Sequence, residues 1–291
     1  MPVRTGIYSN FQKDMTVLDP LLREDQKIIM SLDSIFDSVF TGNFNVTITA
    51  LYYNDHVTMT PAALILPISA QLSSKNKSSI LSVPDGNASV SLTFPRNVER
   101  AIVSILASGN GAEEFWYAKI PAEYENTFRN VSTSGFGPFR EVQLFIDGIL
   151  TGVSWPFPIV FTGGLSPGLW VPIVGIDTYD VPNFEIDISP WLGILCDGKP
   201  HTFELKVVGH DQETTLGTVG LNWWVSGSVF LWIDEAGVQT TGTVSYLSHI
   251  EFLRFPADNI RPSSLCFSLR SSNSLLASSK VGNPMPSSSS S

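Results

Sequence analysis

Glu141-Val-Gln-Leu-Phe-Ile-Asp-Gly-Ile-Leu-Thr-Gly-Val153 is the stretch on which the fold turns. Val142, Leu144 and Ile146 alternate with polar or outward positions, the period of a half-buried strand. Asp147-Gly148 follows at once, and a second apolar run begins at Ile149. Two residues of this type between two strand-like runs predict a tight β-hairpin, because both positions of its turn require a left-handed backbone. The same alternation recurs in Ser89–Phe94, Ala101–Ala107, Phe184–Ile188, Thr202–Val207 and Ser228–Ile233. Asn43-Phe-Asn-Val-Thr-Ile-Thr-Ala-Leu-Tyr52 shows it again through Phe44, Val46 and Ile48, and is expected to be a strand. These are too many strands for one small sheet.

Only Leu18–Ser31 carries a helical or mixed pattern, with Pro20 near its first turn. Strands that are not followed by helix-length segments argue against an α/β crossover fold. The expected class is all-β and antiparallel, a sandwich or a jelly roll. A faint repeat supports two copies: Asp14-Met-Thr-Val-Leu-Asp-Pro-Leu-Leu before Asn43–Tyr52, and Asp187-Ile-Ser-Pro-Trp-Leu-Gly-Ile-Leu before His201–Val208. The expected organisation is 1–55 as the end of a first, incomplete sandwich, 56–255 as a second, and 256–291 as a Ser-rich low-complexity tail with too little apolar sequence to pack.

The 291 residues are 43% hydrophobic but only 15% charged, with a formal net charge of -10. A surface for nucleic acid or an anionic membrane needs clustered Lys and Arg, so neither partner is expected. No apolar run approaches the roughly 18 to 20 residues of a bilayer span, Ala62–Ile68 being strand-sized. The first thirty residues show no basic segment followed by an apolar core, so no signal peptide is visible. Cys196 and Cys266 permit one disulfide or two free thiols. The glycosylation sequons at Asn45, Asn76, Asn87 and Asn130 are four, where a chain this rich in Ser and Thr yields about three by chance.

His56, His201, His210 and His249 lack ligand spacing, so no metal site is expected. There is no Gly-x-Ser-x-Gly elbow and no phosphate loop. Carboxylates and aromatics remain. Glu113-Glu114-Phe115-Trp116-Tyr117 follows the Ser108-Gly-Asn-Gly turn. On a strand the two acids would point to opposite faces, leaving one in an aromatic cleft suited to proton transfer or to a sugar hydroxyl; two solvated loop acids are the alternative. Trp155-Pro-Phe-Pro, with Pro167-Gly-Leu-Trp170, predicts an ordered loop whose indoles could cover a pyranose face or simply pack a corner. Asp177 and Asp180 could bind hydroxyls or cap turns.

Phe94-Pro-Arg-Asn-Val-Glu-Arg-Ala, Ser108-Gly-Asn-Gly-Ala-Glu-Glu-Phe-Trp-Tyr, Pro138-Phe-Arg-Glu, Trp155-Pro-Phe-Pro-Ile-Val-Phe-Thr-Gly-Gly and Asp187-Ile-Ser-Pro-Trp-Leu together resemble the peptide N-glycosidase A family, in order and spacing from about Thr5 to Gly242. The resemblance implies an amidase that cleaves the bond between N-acetylglucosamine and asparagine, without a cofactor. It implies an N-glycopeptide or glycoprotein substrate, a monomer, and a secreted or vacuolar location. It implies an active site between two jelly rolls, with Glu114 catalytic and with Glu113, Trp116, Trp155, Trp170 and Asp177 holding substrate. Two departures stand out. Val171 occupies the place of an expected arginine, and the family's aromatic-Asp-Arg segment, which resembles the source of the catalytic aspartate, has no counterpart before Pro2. The expectation is therefore a chain truncated at both ends and inactive by itself. The alternative is a non-catalytic carbohydrate-binding sandwich.

Overall fold

The computed structural model describes residues 8, 10–32, 37–39, 41–53, 60–69, 72–121, 124–125, 135–161, 163–170, 175–209 and 219–244. Among the described residues nine strands form: β1 (Leu64–Pro67), β2 (Leu81–Val83), β3 (Ser89–Thr93), β4 (Val98–Gly109), β5 (Glu141–Ile146), β6 (Ile149–Ser154), β7 (Phe184–Asp187), β8 (Pro200–Val208) and β9 (Trp223–Ile233). One sheet has the order β1-β9-β4-β7, with β2 also on β9; the other has the order β3-β8-β5-β6. Every pairing is antiparallel.

The alternation explains why the sheets face each other. Across β5 and β8, Val142 lies opposite Val207, Leu144 opposite Leu205 and Ile146 opposite Phe203. Across β4 and β9, Val103 lies opposite Val229 and Ala101 opposite Leu231. These residues form one continuous buried core. Leu205 of one sheet rests against Gly227 of the other. Burying each such side chain stabilises the fold by about 1.5–3 kcal/mol relative to exposure. Phe94 stacks on Phe203 at 5.6 Å between centroids.

The expected hairpin is present, with Ile146 opposite Ile149. Asp147 at φ 50 and Gly148 at φ 78 supply the two left-handed positions of its turn. The other expected runs appear as β3, β7, β8 and parts of β4 and β9.

Two expectations fail. Asn43–Tyr52 is in no strand, and Phe44 stands 63% exposed. Alternation creates two faces, but a strand also needs a partner edge, and no described residue supplies one. Leu18–Ser31 is helical only in its first part. A 3-10 turn over Thr16–Leu18 leads into the single turn α1 (Asp19–Leu22), and no helix continues beyond it. Four residues cannot repay helix nucleation without a packed face, and the following Arg23-Glu-Asp offers none. The other α-helices among the described residues, α2 (Pro167–Trp170) and α3 (Leu192–Leu195), are single turns too. His56, His210, His249, Cys266, Asn130, Val171 and the Ser-rich tail lie outside the described residues. Cys196 is a buried free thiol. No helix among the described residues is long and apolar enough to cross a membrane.

Candidate functional site

At the end of β4 the chain leaves the sheet beside the start of β9. Asn110 and Asn222 exchange backbone hydrogen bonds of 2.9 and 3.1 Å, and the Ala112 N–H reaches the Leu221 carbonyl at 2.9 Å. The intervening Gly111–Glu113 segment is a 3-10 turn, not the strand expected for the acid pair. Its compact rotation still separates the two carboxylates: Glu113 is 0% exposed, whereas Glu114 is exposed.

Glu113, expected to hold substrate, is fully buried and turns both carboxylate oxygens to protein partners. Its Oε1 accepts hydrogen bonds from Lys119 Nζ, from Arg140 Nη2 at 3.0 Å and from the Gly220 N–H at 2.9 Å. Its Oε2 accepts from Arg140 Nε at 2.6 Å and Trp223 Nε1 at 2.9 Å. Arg140 Nη1 donates to the carbonyls of Phe136, Gly137 and Phe139. Lys119 lies over the Phe136 ring, 5.0 Å from its centroid. One carboxylate thus joins the loop after β4, the approach to β5 and the approach to β9. Burial pushes the Glu113 carboxyl up, but the bonds from Arg140, Lys119 and Trp223 outweigh it and hold the pKa below its ordinary value. Gly220 is required for this approach, since a Cβ there would sit 2.7 Å from Glu113 Oε1.

With that cluster fixed, Glu114 borders a cleft with Trp116, Pro156, Phe157, Phe161 and Pro182. Trp116 is buried, edge-on to Tyr117 and tilted against Trp223. The Tyr117 hydroxyl donates to the Ile159 carbonyl at 3.0 Å, fastening the loop after β6 over the loop after β4. Burial first, and the Glu114 charge second, raise the Tyr117 pKa. The enclosed space is only about 30 Å³, enough for water and too little to enclose a sugar ring. A carboxylate beside an indole on such a ledge can orient a water or hold a hydroxyl from one side.

The remaining expected binding residues are not gathered there. Trp155 is 55% exposed next to the cleft residue Pro156, and its Nε1 donates to Glu141 Oε2 at 3.0 Å. Trp170 closes α2 and Asp177 occupies an exposed turn at φ 58, and neither borders the cleft. The Asp180 N–H bonds the Asp177 carbonyl at 3.2 Å, closing a backbone turn, and the Asp180 side chain pairs with Lys13. Arg140, Lys119 and Trp223 were missed as site-forming residues. Arg140 and Glu113 fall inside quoted motifs, but 27 positions separate the two partners, and no local period links them.

A second polar cluster sits at the β5–β6 turn. His201 lies between Asp147, 2.7 Å from Nδ1, and Asp197, 3.2 Å from Nε2. Among the described residues no group of three His, Cys, Asp or Glu side chains is arranged to hold a metal ion.

A family model described as peptide N-acetyl-beta-D-glucosaminyl asparaginase amidase A matches residues 1–249. The chain is 34% identical over 262 residues to the peptide-N4-(N-acetyl-beta-glucosaminyl)asparagine amidase A of Prunus dulcis, covering 84% of this chain and 44% of that protein. The chain therefore spans less than half the length of this relative. Among solved structures, PNGF-II is similar with 14% identity and a TM-score of 0.36, over 63% of this chain and 32% of that one. PNGase F, a glycosylasparaginase from Flavobacterium meningosepticum, is similar with 19% identity and a TM-score of 0.35, over 61% and 55%.

Proposed function

The chain belongs to the peptide N-acetyl-beta-D-glucosaminyl asparaginase amidase A family, and from that premise we propose that it forms the Glu114-bearing part of a glycopeptide amidase. The reaction is hydrolysis of the side-chain amide of a glycosylated asparagine. Water adds to the amide carbon, the carbon–nitrogen bond breaks, and the products are aspartate and a glycosylamine. Glu114 orients that water or a hydroxyl of the first sugars, the exposed Trp155 offers ring surface to a pyranose, and the buried Trp116 supports the ledge from behind. Glu113 acts through structure, holding the Glu114 loop on Arg140 and Lys119.

The observation that carries this reading is the exposed Glu114 carboxylate on an aromatic ledge, pinned from beneath by a fully buried ion cluster. An exposed acid on a free loop would lose its geometry to side-chain and backbone entropy; this one does not. We assign the water-activating aspartate to the portion of the family that this chain does not span. The domain limits of 1–55, 56–255 and 256–291, a monomeric state and a secreted or vacuolar location belong to the same proposal. So does the jelly-roll topology. Taking β1 and β2 as one interrupted strand beside β9, the two sheets have the four-strand orders of a double Greek key.

A non-catalytic carbohydrate-binding role is the second reading, favoured by the single described carboxylate at the cleft. The two are separated by incubating the chain with a denatured N-glycopeptide and weighing the peptide. Asparagine replaced by aspartate supports the amidase, while glycan release with asparagine retained contradicts it. Binding of chitobiose without any release, read by tryptophan fluorescence, supports the second reading.

A further inference from the structure

β1 and β2 lie end to end beside β9, since Pro67 pairs with Ser228 and Leu81 with Val225. The loop between them meets the N-terminal segment over the outer face of the larger sheet: Lys27 donates to the Asn76 side-chain oxygen, 49 positions further along the chain. Lys75 and Lys77 flank Asn76 in sequence, so this contact gathers three lysines that no local pattern links. None of the three makes an ion pair with a described residue; the Lys27 ammonium has a neutral amide as its partner.

Lys27 and Lys77 line a trough of about 680 Å³ whose floor is the outer face of β4 and β9. That volume lies within the roughly 300–1,000 Å³ usual for small-ligand sites. Leu106 and Phe230 give the floor an apolar surface, and the hydroxyls of Ser78, Ser226 and Ser228 make no side-chain hydrogen bond to another described residue. No carboxylate lines the trough, although the chain holds 27 Asp and Glu against 17 Lys and Arg. Asp25, close to Lys27 in the chain, is outside the lining, and so is Glu185, opposite Ser104 on β7. β4 and β9 separate β7 from the edge that carries β1 and β2, about 14 Å of sheet at the usual strand spacing.

Ammonium groups gathered without a counter-charge repel one another, and a compact anion between them removes that cost. The oxygens of a phosphate or sulfate accept from lysines and from hydroxyls at once, in charge-assisted hydrogen bonds. Such an anion alone leaves the apolar floor uncovered; an ester of it with an apolar body covers both. Three lysines suit one such group, whereas a nucleic acid needs a longer basic stripe. We infer that the trough binds a small phosphate or sulfate monoester, its anion at Lys27 and Lys77 and its apolar body on Leu106 and Phe230. The trough shares no lining residue with the Glu114 cleft, so this site stands or falls separately from the amidase reading.

Calorimetric titration of the whole chain at low salt tests it with four probes: 1-naphthyl phosphate, 1-naphthyl sulfate, 1-naphthol and inorganic phosphate. At least one ester should bind with a Kd below about 1 mM, and about tenfold or more tighter than either naphthol, which lacks the anion, or inorganic phosphate, which lacks the apolar body. The tighter ester identifies the preferred oxyanion. Raising the salt to about 0.5 M should weaken ester binding several-fold, because charges on an open trough are screened. Lys27→Gln and Lys77→Gln should each weaken it about 3- to 10-fold. Both side chains are exposed, so the fold is retained. Lys199→Gln, at a lysine paired with Asp197 away from the trough, should leave ester binding unchanged. Absence of ester binding, naphthol bound as tightly as the esters, or full affinity in the double variant of Lys27 and Lys77 would overturn the anion site. Inorganic phosphate bound as tightly as the esters would overturn the role of the apolar floor and with it the monoester assignment.

Discussion

Glu113 and Glu114 are adjacent in sequence, yet their substitutions should behave in opposite ways. Glu114→Gln removes a charge from an exposed ledge, so the melting temperature should stay within the small range of surface changes. Turnover should fall by about 10²- to 10⁴-fold when measured in a protein that spans the family's full length, because a positioned acid or base contributes that much. A normal rate in that protein would remove Glu114 from the chemistry. Glu113→Gln instead leaves Arg140 and Lys119 buried without their counter-charge. Breaking one side of a buried ion pair costs about 3–5 kcal/mol, so this variant should unfold at markedly lower denaturant in a urea titration. An unchanged midpoint would show that the cluster does not hold the loop. Gly220→Ala should act in the same direction, since its methyl group would meet both Glu113 and Lys119.

At the scale of an element, the β5–β6 hairpin is tied at its turn to the start of β8. Asp147 bonds His201 Nδ1 and accepts the Thr202 N–H at 2.8 Å, while Asp197 holds the other ring nitrogen. Burial pulls the His201 pKa down, but the two aspartates prevail and raise it. Burial pushes Asp147 up, and the bonds from His201 and Thr202 prevail and lower it. The Lys199 N–H first, and His201 after it, bring Asp197 down to about 2. The signs fix the window. A raised histidine stabilises fully below its unfolded pKa of about 6.5 and loses that contribution as pH rises through its higher folded value. The lowered aspartates stabilise above about 3.9 and lose theirs as pH falls. The tie is thus strongest between roughly pH 4 and 6.5. His201→Gln should flatten the decline in melting temperature on the alkaline side of that window. A decline as steep as that of the parent would show that the histidine is not its source. Gly148→Ala at the same turn should cost about 1 kcal/mol, because an alanine there pays for a left-handed backbone without meeting any neighbour.

For the whole molecule, the two sheets share one core, and its centre should control cooperative unfolding. Phe203 is fully buried and stacked on Phe94 across the β3–β8 pair. Phe203→Ala should cost about 3–5 kcal/mol and lower the melting temperature read by calorimetry. A small shift would mean that the sheets do not melt as one unit. Much of this architecture was legible beforehand, because period-two alternation in β3, β4, β5, β7, β8 and β9 is a local property of each segment. The Asp147-Gly148 turn was legible for the same reason: its backbone demand falls on two adjacent residues. The pattern misled at Asn43–Tyr52, since alternation says which face is apolar but not whether a neighbouring edge exists. It was silent on β2, three residues whose strand form rests on pairing to β9 and on burying Val83 in the core. At the site, sequence marked the acid pair and the aromatics around it. It could not tell which acid is buried, because a 3-10 turn replaced the expected strand and the deciding partners come from remote positions. Arg140, Gly220 and Trp223 meet Glu113 only after β5 and β9 have taken their places beside β8 and β4. Local periodicity therefore determined the strands and their inward faces, and the tertiary structure alone decided which carboxylate faces the cleft, because that choice depends on charges brought together by folding.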